Sequence, residues 1–460
     1  MLDQNWMKRT GAALTAVMLF GLLAACGGGN SLAGNGANNG TGNTAATNAD
    51  NSGAASGDGG NAAPATDADY KGEFVLWTWE PEHPTALAAF NKKYPNIKVK
   101  RVNVAAGDVT KKLQTTIASG GELPDVIRIE SAQKAKIFDM NVLENLEEAP
   151  YSADKSQLFD YDIDAFSMDG HLVAIPDDMS IAGAAYLKPL AKEYLGTDDP
   201  KELETMLPNW NAFIEKGKEV VEHSGGKVKM FPGLGDVYSI IKGQRSGPYF
   251  DGDKLNTPVL QQVLTDLVSF RDSGIVDKLD QWTPAWNATF AQSKYMFAMS
   301  PVWMPQYVIG ANDKAEGRWG LMVPPNGGFI SGGSSHGIPK GAKNAELAWK
   351  WIQFTSMTPE GAVAQKQDGV FTHYKAAYED KAFTKWTWPS FGTQDIGEKY
   401  FVDISATTKT VTENVNDLLL NDVINIVLQT FAKDSSFGVE QAMDKIKKEL
   451  KAKAPNITFE

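Results

Sequence analysis

An α/β fold in more than one lobe is predicted, on three observations. Phe74-Val75-Leu76-Trp77 is an uninterrupted apolar run of the kind buried on both faces of a parallel sheet. Helical and extended patterns alternate after it. At 460 residues, 42% of them apolar, the chain exceeds one ordinary core, so two or three domains, or two lobes of interleaved segments, are expected.

The elements follow in order. After Pro81 and Pro84, a helix is predicted over 85–94, with Leu87, Phe90 and Tyr94 on one face, and Pro95-Asn96 ends it. Ile97-Lys98-Val99-Lys100 alternates as a half-exposed strand does. A second helix fits 108–119 and stops at Gly120-Gly121, and the strand Asp125–Ile129 follows. Three strands with two intervening helices make a doubly wound unit with right-handed crossovers. Ligands of such sheets sit beyond the carboxyl ends of the strands. Here those ends carry Thr78, Trp79 and Glu80, then Glu130 and Ser131. Asp169-Gly170 signals a tight turn into a strand ending at Pro176-Asp177-Asp178, and Ile181–Leu187 reads as another strand. Helices are predicted over 210–223, 258–273, 345–356, 412–430 and 439–450.

Composition excludes several classes of function. With 44 Lys plus Arg against 56 Asp plus Glu, the formal charge is −12, which suits no nucleic-acid backbone. The five histidines lie far apart in the sequence. The single cysteine, Cys26, leaves no internal disulfide, iron–sulfur cluster or thiolate metal site. No metal and no cofactor is expected. No P-loop or dinucleotide fingerprint occurs, so any ATPase that works with this protein is another chain.

Lys8 and Arg9 precede an apolar run from Gly11 to Ala25, about fifteen residues and short of the ~20 that span a bilayer. That is the pattern of a secretory signal. It ends Leu23-Ala24-Ala25-Cys26-Gly27, which resembles the bacterial lipoprotein box and implies lipidation of Cys26. From Gly27 to Asp69 the chain is Gly, Asn, Ala, Ser, Thr and Asp with almost nothing apolar, so residues 26–69 are expected to form a disordered tether. Such a coil spans roughly 36 Å root-mean-square.

Several pieces of the remaining chain resemble one family. A first strand ending in Trp is followed by a helix and Tyr94-Pro95-Asn96-Ile97-Lys98-Val99. Then come Gly120-Gly121-Glu122-Leu123-Pro124-Asp125-Val126, the hairpin Asp169–Pro176 and Pro208-Asn209-Trp210. Phe290-Ala291-Gln292-Ser293-Lys294 leads to Met299 and Trp303, and later stand Pro324-Pro325, Gly337-Ile338-Pro339-Lys340 and Glu346–Lys350. Their shared order resembles the family-1 extracellular solute-binding proteins of carbohydrate ABC importers, the maltose-binding-protein-like group. Two departures are Leu187 in place of the family's Asn and Ser293 in place of its Gly.

The resemblance implies the type II two-lobed periplasmic-binding-protein-like fold, each lobe a doubly wound sheet with flanking helices and a cleft between them. Lobe 1 would hold 70–180 plus 325–360, and lobe 2 would hold 181–324 plus 361–460. Chain crossings are expected near 176–182, 322–328 and 357–365. It also implies a monomeric receptor on the outer face of the cell membrane, held there by its lipid. The receptor would capture a sugar, an oligosaccharide above all, and deliver it to a membrane permease without catalysis.

Sugars present apolar C–H faces and hydroxyls, so their sites need aromatic platforms beside carboxylate or amide acceptors. Eleven of the twelve Trp lie after the tether. Trp79 and Glu80 either touch ligand or cap the next helix. Glu130 either touches ligand or pairs with a lysine. Asp178 is by resemblance a hydroxyl acceptor, Trp303 by resemblance a stacking platform. Asp236 and Tyr238 are candidates from the second lobe. Of Trp282 and Trp286, one lines the cleft and the other packs inside. Gly333 and Ser334, with Gly332, form a glycine loop whose amides and hydroxyl can meet a ligand.

Two rival readings stand beside this one. A lipid-anchored glycosidase or esterase is the first: Glu80, Glu130 and Asp178 would serve glycoside hydrolysis if they converge, and Gly333-Ser334-Ser335-His336-Gly337 fits G-x-S-x-G, with His373 able to follow as base. That elbow needs a helix directly after it, and Ile338-Pro339 favours an extended exit instead. The same fold binding a non-sugar is the second. Against an anion stand the negative charge and a lack of clustered arginines, with only Arg128 near a strand end.

Overall fold

A computed structural model describes residues 67–459, which lie in the compact unit Pro64–Glu460. Cys26, the apolar run before it and the segment 27–66 fall outside the described residues. No helix among the described residues is long and apolar enough to cross a membrane.

Strands β1 (Gly72–Thr78), β2 (Ile97–Asn103) and β3 (Val126–Glu130) are parallel and are joined by helices α1 (Pro84–Lys93) and α2 (Val109–Ala118). Pro84 begins α1, where a missing N–H costs nothing. Helix α3 (Ser131–Asp139) leaves β3 directly, its first turn capped by Glu130, whose Oε2 accepts the Ala132 N–H at 2.9 Å. Residues 167–168 and 171–172 form a hairpin around Asp169 (φ 50°) and Gly170 (φ 81°), the positive pair that an Asp-Gly turn supplies.

Strand β4 (Ile175–Asp178) stays with this first sheet. Strand β5 (Ile181–Leu187), three residues on, is the centre of a second sheet. Helix α4 (Leu234–Gln244) follows, then β6 (Phe297–Pro301), β7 (Trp319–Met322) and β8 (Phe329–Ile330), all three antiparallel to β5. β5 is buried along its whole length and rich in Ala and Gly because it is packed from both sides. A Cβ on Gly183 would come within 2.5 Å of the Ile404 side chain. Strand β9 (Ser334–Gly337) then returns to the first sheet, antiparallel between β3 and β4, giving the order β2-β1-β3-β9-β4. Helices α5 (Ala345–Met357), α6 (Pro359–Gln367), α7 (Asp417–Lys433) and α8 (Val439–Lys453) complete the frame.

Two hydrophobic cores result. One gathers Phe74, Phe90, Leu113, Ile127, Ile175, Ile338 and Trp349, and the other Tyr186, Phe231, Leu264, Phe297, Phe329, Tyr400 and Ile424. The chain passes between them after Asp178, before Ser334, and after Met357. The second passage lies at 331–333 rather than 322–328, because Phe329 and Ile330 are still paired with Ala182 and Ile181. The predicted helix over 412–430 begins only at Asp417. Asn414 and Asn416 bond locally there, with Asn416 N–H donating to Asn414 Oδ1 at 2.8 Å, and so compete with the helical turn. Helix α4 had no sequence-based expectation. Its cap Gly233 reads as loop, yet a Cβ there would sit 2.0 Å from the Leu279 carbonyl oxygen, so close packing accounts for the glycine.

Candidate functional site

The carboxyl ends of β1, β3 and β4 converge on one buried guanidinium. Arg128, in the centre of β3, is 3% exposed and lies opposite His336 in the register. Its Nε and Nη2 donate to Ser334 Oγ at 2.8 and 2.7 Å. It pairs with Glu80, with Asp177 at 3.1 Å and with Asp178 at 4.0 Å, and its Cζ stands 5.4 Å from the Trp79 ring centroid. Four of the sequence-predicted residues, Trp79, Glu80, Asp178 and Ser334, are thus brought together around a residue that sequence reasoning did not select. Its strand position was visible, but its partners lie far away along the chain.

Three carboxylates share this cation, and their protonation follows from distance and burial. Burial works to raise Glu80, but Arg128 and His83 (Nε2 3.0 Å from its Oε2) hold it below the usual range. Burial likewise opposes ionisation of Asp177, and Arg128, His336 and Ser334 outweigh it, so this carboxyl is lowered. Asp178 goes the other way. Burial, then the charge of Glu80, push it well above the ordinary value, and Arg128 only partly offsets them. Its Oδ1 is buried with no hydrogen-bond partner among the described residues. The shared cation thus lowers Glu80 and Asp177, while Asp178 is raised. A carboxyl oxygen without a partner can accept a hydrogen bond from a hydroxyl. Burial lowers His336.

The glycine turn joins this floor to an aromatic wall. Gly332 (φ 79°) and Gly333 (φ 91°) need the left-handed backbone, and each is also hemmed in. A Cβ on Gly332 would lie 3.0 Å from Trp303 Nε1, and one on Gly333 2.8 Å from Ser180 Oγ. Gly333 C=O accepts the Ser131 N–H at 3.1 Å, tying the turn to α3. Trp303 donates from Nε1 to Ser331 C=O at 3.2 Å. The Trp282 ring centroid lies 6.0 Å from that of Trp303, at 33°, and 4.8 Å from that of Trp286. Trp282 is 52% exposed and has φ 66°, an unfavourable backbone for so bulky a residue. Trp286 is fully buried.

The other predicted positions are placed elsewhere. Asp236 is fully buried beneath the wall and accepts the Trp286 Nε1–H at 3.0 Å, and burial raises its carboxyl to about 7. Tyr238 is buried in the second core, its hydroxyl donating to Asn421 Oδ1 at 2.5 Å. Glu130 is the helix cap described above, raised by burial. Ser334–Gly337 is the extended strand β9 with no helix after it, and His373 is engaged by Asp162 at 2.9 Å. The nucleophile-elbow geometry is therefore not present at Ser334. No group of three or more His, Cys, Asp or Glu among the described residues is placed to hold a metal ion.

The two lobes also meet at the hinge side. Tyr307, from the second core's chain, places its hydroxyl 3.4 Å from His83 Nε2 and donates to Asp368 C=O at 3.1 Å. The Asp368 carboxylate accepts the N–H groups of Thr85 and Ala86 at 3.2 and 2.8 Å and so caps α1.

Comparison with known proteins agrees with this architecture. A lactose-binding protein of Rhizobium radiobacter is 29% identical over 172 residues, 34% of this chain and 38% of that protein's length. An arabinooligosaccharide-binding protein of Bacillus subtilis is 21% identical over 83% of this chain and 92% of its own. Among solved structures, an extracellular solute-binding protein of family 1 superposes with TM-score 0.71 at 21% identity, covering 82% of this chain and 99% of that one. A transporter-associated binding protein of B. animalis subsp. lactis, solved with β-1,6-galactobiose, gives 0.69 at 18% identity over 85% and 100%. The family model described as bacterial extracellular solute-binding protein matches residues 85–393. With the two-lobed fold in place and most of its length matched, the chain belongs to the bacterial extracellular solute-binding protein family.

Proposed function

We propose that this protein is the sugar receptor of an ABC importer, anchored by lipid at Cys26, which captures an oligosaccharide between its lobes and delivers it to a membrane permease. One observation carries the reading. An exposed Trp282 beside a half-buried Trp303 adjoins, across the Gly332–Gly333 turn, a carboxylate floor on which the buried Asp178 Oδ1 has no hydrogen-bond partner among the described residues. Flat apolar surface beside hydroxyl-bonding groups is what a pyranose requires. Relatives named for lactose and arabino-oligosaccharides support the class. The lobes, each with its own core, close because a ligand touching both favours the closed state by its difference in affinity between closed and open forms. No bond of the ligand is broken. Calorimetric titration with lactose, β-1,6-galactobiose and arabino-oligosaccharides, alongside a product assay, tests this. Saturable heat without new reducing ends is expected, and turnover would establish the glycosidase reading instead.

A further inference from the structure

Helix α3 starts where β3 ends, at the cleft, with Glu130 as its cap and Lys134 in its first turn. Lys134 is only 13% exposed along its side chain. Its Nζ lies 4.7 Å from the Phe166 ring centroid and 3.1 Å from Glu413 Oε2. Glu413 belongs to the other lobe, in the segment leading to α7, and α3 and α7 are in contact there. Lys242 of α4 completes the pattern. Burial lowers it, while Glu413 and Glu130 act in the opposite direction, so it lies within the field of acids from both lobes. Glu130 in turn senses Lys242. Behind them Arg245 stands 3.8 Å from Asp417. Across the gap between lobes, acid and base on α3 therefore face base and acid on the second lobe.

We propose that Lys134 and Glu413, with Glu130 and Lys242 beside them, form an electrostatic clasp that draws the two lobes closed. An ion pair inside one lobe would be indifferent to closure, but this one joins bodies with separate cores and breaks when α3 and α7 part. Glu413 is 39% exposed along its side chain, so salt reaches the clasp and weakens it. A partly exposed pair of this kind shifts the closed-to-open ratio about fivefold. The inference rests on the two-lobed receptor reading but not on what the ligand is, so it is tested without one.

The experiment is a spin-label distance distribution in the full chain carrying Cys26→Ser, with labels at Lys111→Cys on lobe 1 and Lys448→Cys on lobe 2, both exposed. At about 0.05 M salt, Glu413→Lys is expected to lower the closed-to-open ratio about fivefold, and Glu413→Gln to lower it less. Adding Lys134→Glu to Glu413→Lys should recover part of the closed population, since the pair re-forms while Lys242 now faces a cation, and about 0.5 M salt should bring the parent toward the Glu413→Gln distribution. Unchanged distances in both single variants, each folded by its thermal midpoint, would overturn the clasp, as would a swap no more closed than Glu413→Lys alone. Calorimetry on the same proteins keeps the outcomes apart. Populations that respond while no saccharide binds would refute the sugar reading and leave the clasp standing.

Discussion

Removing the Arg128 guanidinium would leave Glu80 and Asp177 buried together without a cation, and opening a buried ion pair from one side costs about 3–5 kcal/mol. Arg128→Met is therefore expected to lower stability by about that amount in urea unfolding, and a loss below about 1 kcal/mol would mean the carboxylates relax to water. Trp282 offers a subtler test. At φ 66° a residue with a Cβ costs roughly 1–2 kcal/mol, and only glycine escapes it. Trp282→Gly should accordingly be more stable than Trp282→Ala by about 1 kcal/mol, although both lose the same indole and the same sugar affinity. Strain kept at an exposed aromatic residue fits a functional site. Trp303→Ala should weaken saccharide binding at least about tenfold, and binding equal to the parent would remove the platform from the site.

Helix α4 carries a buried carboxyl in its first turn. Asp236 in its first turn has its carboxyl raised by burial from 3.8 to about 7, with the Trp286 indole pulling the other way. A raised carboxyl holds its proton longer in the native state than in the unfolded one. The native state therefore loses stability as pH rises from about 4 to about 7, and the loss is complete above that. Asp236→Asn keeps an acceptor for the indole and removes the titration, so thermal midpoints across this range should flatten in the variant; an unaltered slope would assign it to other groups. The same element shows where sequence reading stops. Periodicity and turn residues marked α1, α2, α5, α8 and the 167–172 hairpin because their signals are local, as with Asp169-Gly170 at positive φ. A helix opened by Gly233 looks like loop until Leu279 is seen to press against it. The passage at 331–333 depends on the pairing of β8 with β5, a contact some 150 residues apart in sequence. At the site, strand ends exposed Trp79 and Glu80 as candidates, whereas the hub Arg128 and the burial of Asp236 and Tyr238 emerge only from long-range packing.

At the scale of the molecule, two cores are linked by three passages, with an indole wall on one side and an acidic floor on the other. Cys26 lies before the described residues; under the proposed lipid anchor, Cys26→Ala should move the protein from the membrane fraction into the medium, whereas retention would dismiss the anchor. Lobes with a short hinge and separate cores close as bodies, so ligand capture should shorten the distance between them without altering either core. The most direct measurement is titration of the full chain with α- and β-linked oligosaccharides by calorimetry, with the lobe-to-lobe distance followed in the same samples. Saturable binding by at least one oligosaccharide, together with a shortened distance and no released product, is predicted. Absence of binding across the panel, or binding with the lobes unmoved, would contradict it.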